Sequence, residues 1–345
     1  MTEREPAIRV GRLTVVAERD PGRRGRLADR LAARGWEVRH AAHFTACGGP
    51  AGRVLLLHPF GEATVDEDLA PLIAEELGPL GVVTSAREYG EALFAVVAST
   101  CPAATPCPTC GRVHVDLPAI WRHYCLNTLR RLRPLVDRPP AAPASHVERF
   151  ATVYRAVIDR CAGAGVLDVG SSLGFLPVLL AERRPDLEVA GCDNRVDAVR
   201  CAADLSAVAV GGRAAFSVRD VLDPGFAGAG RHDTVTAVHV LEHFTDAELP
   251  VALASLLGVT ARRLIVAVPY EDEVQPLYGH EQRFTPERLR ALGARCVESV
   301  GGGRFTCAEA CGGLLVVDRE NPPPRGREEG GGPVPHRGTA PVDPR

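Results

Sequence analysis

Residues 166–175 read VLDVGSSLGF, an apolar run that ends in an aspartate, a glycine, two serines and a second glycine. The spacing predicts a buried strand that closes in a tight turn of small residues and opens into the helix FLPVLLAERR. In an open α/β sheet, ligands bind beyond the carboxyl ends of the strands, so this turn is where a nucleotide-like molecule is expected. A dinucleotide fingerprint requires G-x-G-x-x-G, whose middle glycine lets the backbone approach a pyrophosphate. That order is absent. The run is instead Asp168, Gly170, Ser172, Gly174, with serine at the middle glycine position.

Outward from this turn, strand and helix patterns alternate. EVAGC leads to Asp193, and RVDAVRCAADL reads as a helix. AAFSVRD ends in Asp220, DTVTAVHVL ends in EHF, and AELPVALASLLG precedes the strand RLIVAVP. TPERLRALG follows as a helix with threonine as N-cap and proline at its first position, and two apolar runs, RCVESV and GGLLVVD, suit a closing hairpin. The expected fold class is α/β, a doubly wound, Rossmann-like, seven-stranded and mostly parallel sheet with a smaller N-terminal accessory domain. We expect that cap over residues 1–136, a linker at 137–146 (DRPPAAPASH), the sheet domain over 147–318, and a disordered tail at 319–345, where proline, glycine and charge dominate. In the cap, RLTVVAE and RVLLLHPF read as strands, while DEDLAPLIAEELGPLG and LPAIWRHYCLNTLRRLRPL read as helices.

The D-x-G-x-S-x-G turn resembles the S-adenosylmethionine loop of class I methyltransferases. The resemblance implies that Asp168 and Gly170 line the methionine end of that cosubstrate, with Ser172 and Gly174 completing the loop. Asp193 would accept hydrogen bonds from the ribose hydroxyls, and Asp220 would lie beside the adenine amine. Serine at 172 departs from the pattern and should narrow the loop without abolishing binding. Asp193, Asp220, VLEHF and VPYE each fall at a predicted strand end, in the family's order.

Methyl transfer to a hydroxyl needs in-line positioning and a group that takes the proton. Glu242 and His243 stand at the mouth of the fourth strand of the sheet domain, and His243 is the first choice of base. His280, with Glu281 in YGHEQRF, is the second. The alternative for His243 is a role in shaping the cofactor pocket. His239 reads as a core histidine within the strand, and EDE at 271–273 as a sugar-binding or solvated acidic loop.

Three further segments resemble the mycofactocin oligosaccharide methyltransferases: DEDLAPLIAEELGPLG, IWRHYCLNTLRRLRPL and VAVPYEDEVQPLYGHEQRFTPERLRALG. That resemblance implies O-methylation of a glucose hydroxyl on a glycosylated, peptide-derived substrate. A lipid or quinone-like acceptor, or a binding module without turnover, stays open beside it. The loop CPAATPCPTCGRVH does not belong to the pattern. Its Cys101, Cys107, Cys110 and His114 suit either a closed structural zinc site or a reduced cysteine-rich loop.

Composition sets the outer bounds. A chain of 345 residues with 46% hydrophobic content buries a sizeable core and suggests two domains at roughly 100–200 residues each. The formal net charge of -3, with no basic stripe, gives a nucleic-acid partner no electrostatic support. The chain has no lysine, so all 40 residues of the Lys and Arg count are arginine, and no function is taken from that. No apolar run reaches the ~18–20 residues that span a bilayer, and MTEREPAIRV lacks the apolar core of a signal peptide, so a cytoplasmic location is expected.

Overall fold

The computed structural model describes residues 7–101 and 116–320. Two sheets organise them. The first has strands β1 (Ile8–Val10), β2 (Leu13–Ala17), β3 (Glu37–His40), β4 (Thr45–Gly48) and β5 (Val54–His58), in the order β1-β2-β5-β4-β3. Only the β2–β5 pair is parallel. Helix α1 (Pro21–Ala32) begins where Asp20 accepts the Gly22 and Arg23 amides, with Pro21 pre-set for the first turn. The predicted helix at 66–81 is the short α2 (Leu69–Leu72), which widens into a π turn over Ile73–Leu77. Helices α3 (Ala86–Thr100), α4 (Leu117–Asp137) and α5 (His146–Ile158) follow.

The second sheet holds β6 (Gly165–Val169), β7 (Glu188–Asp193), β8 (Ala214–Val218), β9 (His232–Val238), β10 (Thr260–Val268), β11 (Gly303–Glu309) and β12 (Gly313–Arg319), ordered β11-β12-β10-β9-β6-β7-β8. The five strands from β8 to β10 are parallel, and β12 runs antiparallel to both of its neighbours. Helices α6 (Phe175–Arg183), α7 (Val196–Val210), α8 (Glu248–Val259) and α9 (Pro286–Ser299) complete the fold. This is the expected doubly wound α/β sheet. All five residues of β6 are buried, as a central parallel strand covered on both faces requires.

Successive strand residues divide between two cores, as the period of two dictates. Val166, Ile265, Leu314 and Val316 join one cluster with α4, α5 and α6. Leu167, Leu264, Leu315 and Val317 join the other with α8 and α9. The first cluster continues into Val15, Leu56 and Ala46 of the N-terminal sheet. The two sheets therefore share apolar packing across α4, which lies against both α5 and α7. Ion pairs tie α4 to α7, Arg122–Asp204 at 2.6 Å, and to α6, Arg133–Glu182 at 2.5 Å.

Three local expectations are corrected. RCVESV is not a strand: Arg295–Ser299 continues α9, and Cys296 is buried on its inner face. The hairpin is instead β11 with β12, because the glycines at 301–303 stop the helix in backbone conformations with φ of 73° to 137°. β9 ends at Val238, so His239 lies beyond the strand. Arg319, where the tail was expected to begin, is the last residue of β12 and pairs with Gly303. Residues 138–145 connect α4 to α5.

Candidate functional site

The sheet order reverses between β6 and β9, which makes their carboxyl ends the switch point where a crevice opens. A cavity of about 740 Å³ lies there. One side is the turn after β6. Gly170 has φ 73°, and a Cβ on it would come within 2.5 Å of Val240 Cγ2. Gly174, with φ 83°, does not line the cavity; it stands behind it, where a Cβ would strike Ala202 and Phe216. Its absent side chain lets α6 seat against α7 and β8. Ser172 holds φ 47°, a left-handed conformation that costs a residue with a Cβ energy.

Asp193, at the end of β7, ties the turn down. Its Oδ2 accepts the Ser172 amide at 3.0 Å, and its Oδ1 accepts the Arg195 amide at 2.9 Å. Oδ1 also accepts from Arg195 Nε at 3.5 Å, so of the carboxylate's roughly four lone-pair sites it is Oδ2 that keeps one for the cavity. Arg195 also donates to Ser172 Oγ, a link that sequence patterning missed. Asp220 is exposed and lines the cavity, with Oδ1 accepting the Leu222 amide. Asp168 is buried at the end of β6, where Thr236 Oγ1 donates to it at 2.6 Å. Burial pushes its pKa up to about 7.

The Ser171 hydroxyl is buried and has no partner, although Ser171 lines the cavity. An orphaned polar atom on a glycine-bearing turn is what a ligand-binding loop leaves when the ligand supplies the partner. Five carboxyl side chains (Glu67, Asp168, Asp193, Asp197, Asp220) and two guanidiniums (Arg195, Arg219) line the space, which favours a cationic guest. This acidic lining fits S-adenosylmethionine, whose sulfonium and ammonium are cationic.

The opposite side comes from the N-terminal half. Phe94 of α3, Trp121 and Tyr124 of α4, and Phe150 and Tyr154 of α5 form an aromatic wall. Trp121 meets Tyr124 edge to face at 5.2 Å. Glu67 is the wall's carboxyl. Its position is set by its own amide, which donates to Thr128 Oγ1, and by Arg131, which pairs with the flanking Asp66 and Asp68. Tyr124 Oη donates to Glu67 Oε2 at 2.8 Å, and enclosure raises the Glu67 pKa to about 7. None of these wall residues was singled out in the sequence. Their only signal is aromatic spacing at i, i+3 and i, i+4 on α4 and α5, which core helices share.

The predicted base residues come together. Leu241–His243 form a single 3₁₀ turn after β9, and the backbone amides of Glu281 and Gln282 both donate to the Glu242 carbonyl. That pinning brings His280 beside His243, with ring centroids 5.0 Å apart. His243 lines the cavity. His239 lines it too and is no core histidine; it holds φ 54° and its Nδ1 pairs with Glu242 Oε1 at 3.1 Å. Backbone strain of this kind collects at functional sites. Cys101 is buried at the end of α3, its Sγ 3.7 Å from the Ala119 carbonyl oxygen. Cys107, Cys110 and His114 lie outside the described residues.

The class defined by this geometry is a Rossmann-like α/β protein with a ligand crevice at the switch point of its sheet. No family profile and no curated protein sequence matches the chain. Among solved structures, it is similar to magnesium protoporphyrin IX methyltransferase from Synechocystis PCC 6803 with bound SAH, at 18% identity and a TM-score of 0.40, over 56% of this chain and 94% of that one. It is also similar to an O-methyltransferase family protein from Burkholderia thailandensis, at 15% identity and a TM-score of 0.41, over 74% and 94%. Likenesses this distant carry nothing about the reaction. Among the described residues, no helix is long and apolar enough to cross a membrane.

Proposed function

We propose that the protein is an S-adenosylmethionine-dependent O-methyltransferase acting on a hydroxyl of a small molecule. The observation that carries this reading is one continuous cavity. It joins the Asp168–Gly170–Asp193–Asp220 turn set to an aromatic wall, with His243 at its rim. When bound, the cosubstrate supplies an electrophilic methyl group. Asp168 faces its ammonium, Asp193 its ribose hydroxyls and Asp220 its adenine. Trp121, Phe150 and Tyr154 hold the acceptor's flat face and exclude water, so that its hydroxyl meets His243 at the rim. Positioning of this kind supplies much of a displacement's rate.

The acceptor we favour is a glucose hydroxyl of the mycofactocin oligosaccharide, as the sequence resemblance implies. Aromatic rings stack on the C–H faces of sugars, and Glu67 offers a carboxyl to their hydroxyls. A second reading, a quinone-like or other aromatic acceptor, is favoured by the wall's poverty in polar groups, since Glu67 and Tyr124 already bond to each other.

Calorimetric titration with S-adenosylmethionine tests the first half. The wild-type chain should bind it, and Gly170→Ala, which drives a Cβ into Val240, should weaken binding at least tenfold. Absence of wild-type binding would end the methyltransferase reading. Mass spectrometry after incubation with mycofactocin glycosides and with quinols then separates the acceptors by which one gains a methyl group.

A further inference from the structure

We infer that Glu242, His243 and His280 form a binding site for a divalent first-row transition-metal ion at the edge of the cavity, with coordination positions open toward the acceptor hydroxyl. One potential ligand atom from each of the three residues lies within 4.8 Å of the others. Metal–ligand bonds of ~2.1 Å place donors no more than ~4.2 Å apart, so the set needs only a small contraction to close on an ion.

The surroundings of each residue leave one ligand atom bare. His243 Nδ1 lies 3.0 Å from the Gly279 carbonyl oxygen, which can only accept, so the proton sits on Nδ1 and Nε2 keeps its lone pair. His280 Nδ1 lies 3.0 Å from Glu271 Oε2, and a carboxylate partner fixes the same tautomer. A histidine that donates its other N–H to a carbonyl or carboxylate is the usual outer support of a metal ligand. Glu242 is 0% exposed; its Oε1 pairs with His239, while its Oε2 is buried without any partner. Leaving a carboxylate oxygen buried and unpaired is costly, and a cation removes that cost. His239 keeps Glu242 in place from a left-handed backbone conformation, and that strain is tolerated where it holds a ligand.

Two imidazoles and one carboxylate suit manganese, iron, cobalt or zinc better than the all-oxygen preferences of magnesium or calcium. Three protein donors leave coordination positions for the acceptor oxygen, and His243 lines the cavity, which puts the ion at its edge. An acceptor hydroxyl that binds the ion loses its proton to solvent at a lower pH. Its oxygen lone pair then forms the bond to the methyl carbon as the carbon–sulfur pair returns to sulfur, giving the methyl ether and S-adenosylhomocysteine. His243 and His280 thus act as ligands rather than as a free base.

This inference rests on the methyltransferase reading for its chemistry but not for its test. Mn²⁺ titrated into the full chain and followed by electron paramagnetic resonance is the probe, because manganese disfavours the thiolates of the 101–114 loop. The expected result is one Mn²⁺ per chain, with affinity at least tenfold weaker in His243→Ala and in His280→Ala. Glu271→Gln, which leaves all three ligands in place, should weaken it by roughly tenfold. A wild-type-like circular-dichroism spectrum and a cooperative thermal melt show that each variant is folded. No Mn²⁺ uptake by the folded wild-type chain, or uptake unchanged in both histidine variants, overturns the inference. Methyl transfer undiminished by a chelator would overturn it and leave the methyltransferase reading intact. Manganese bound as described in a chain that does not bind S-adenosylmethionine would do the reverse.

Discussion

Ser172 shows how a single residue can satisfy a turn while straining it. Its amide is held by Asp193 and its hydroxyl by Arg195, yet its φ of 47° is one that glycine adopts freely. Ser172→Gly keeps the Asp193 contact and removes the strain. We expect it to raise stability by up to about 1 kcal/mol in urea denaturation, with S-adenosylmethionine binding retained. A fall in stability of similar size would show that the Arg195 bond outweighs the backbone cost. The serine was legible as a departure from the glycine pattern, because a motif position states which conformation the chain needs. The partnership with Arg195 was not, since it depends on how β7 and the turn come together.

Among the elements, α5 connects local sequence to the site most directly. Ser145 accepts the Glu148 amide while Glu148 accepts the Ser145 amide, a reciprocal cap that starts the helix. The helix then carries Phe150 and Tyr154 into the aromatic wall. Ser145→Ala should cost about 1 kcal/mol of stability by chemical denaturation. An unchanged midpoint would mean that tertiary packing alone places the helix. The S-x-x-E signature is readable from the sequence because capping is a contact between near neighbours. The aromatic wall is not, because Trp121 and Phe150 become cavity residues only when α4 and α5 pack across the sheet. The final hairpin was misplaced for a related reason. Residues 295–300 carry β-branched and apolar residues that suit a strand, but burial of Cys296 against the sheet keeps 295–299 helical.

For the whole molecule, two enclosed carboxyls and a buried histidine pull the response of stability to pH in opposite directions. Asp168 and Glu67 have pKa values raised to about 7 from ordinary values of 3.8 and 4.5. Between those limits the folded chain holds more protons than the unfolded one, so these groups make stability fall as pH rises from about 4 to about 7. Buried His58, lowered to about 3 from 6.5, works the other way: its contribution is lost as pH falls below about 6.5. The carboxyl contribution is therefore read as a difference. Asp168→Asn combined with Glu67→Gln should gain stability over the wild type between pH 5 and pH 8, measured by thermal melting without ligand. A constant difference across that range would contradict the raised pKa values.

What the amino-acid order determined by itself was the alternation of strands and helices, the small-residue turn after β6, and the acids at successive strand ends. These follow from periodicity, backbone freedom and nearest-neighbour hydrogen bonds, all of which act over a few residues. Only the tertiary structure decided which side chains face the same space. It set Glu67 and the α4–α5 aromatics opposite the turn, and it brought His280 to His243 across 37 positions of chain. It also left Glu242 Oε2 and Ser171 Oγ buried without partners. Convergence of that kind depends on packing between distant segments, which no local pattern encodes.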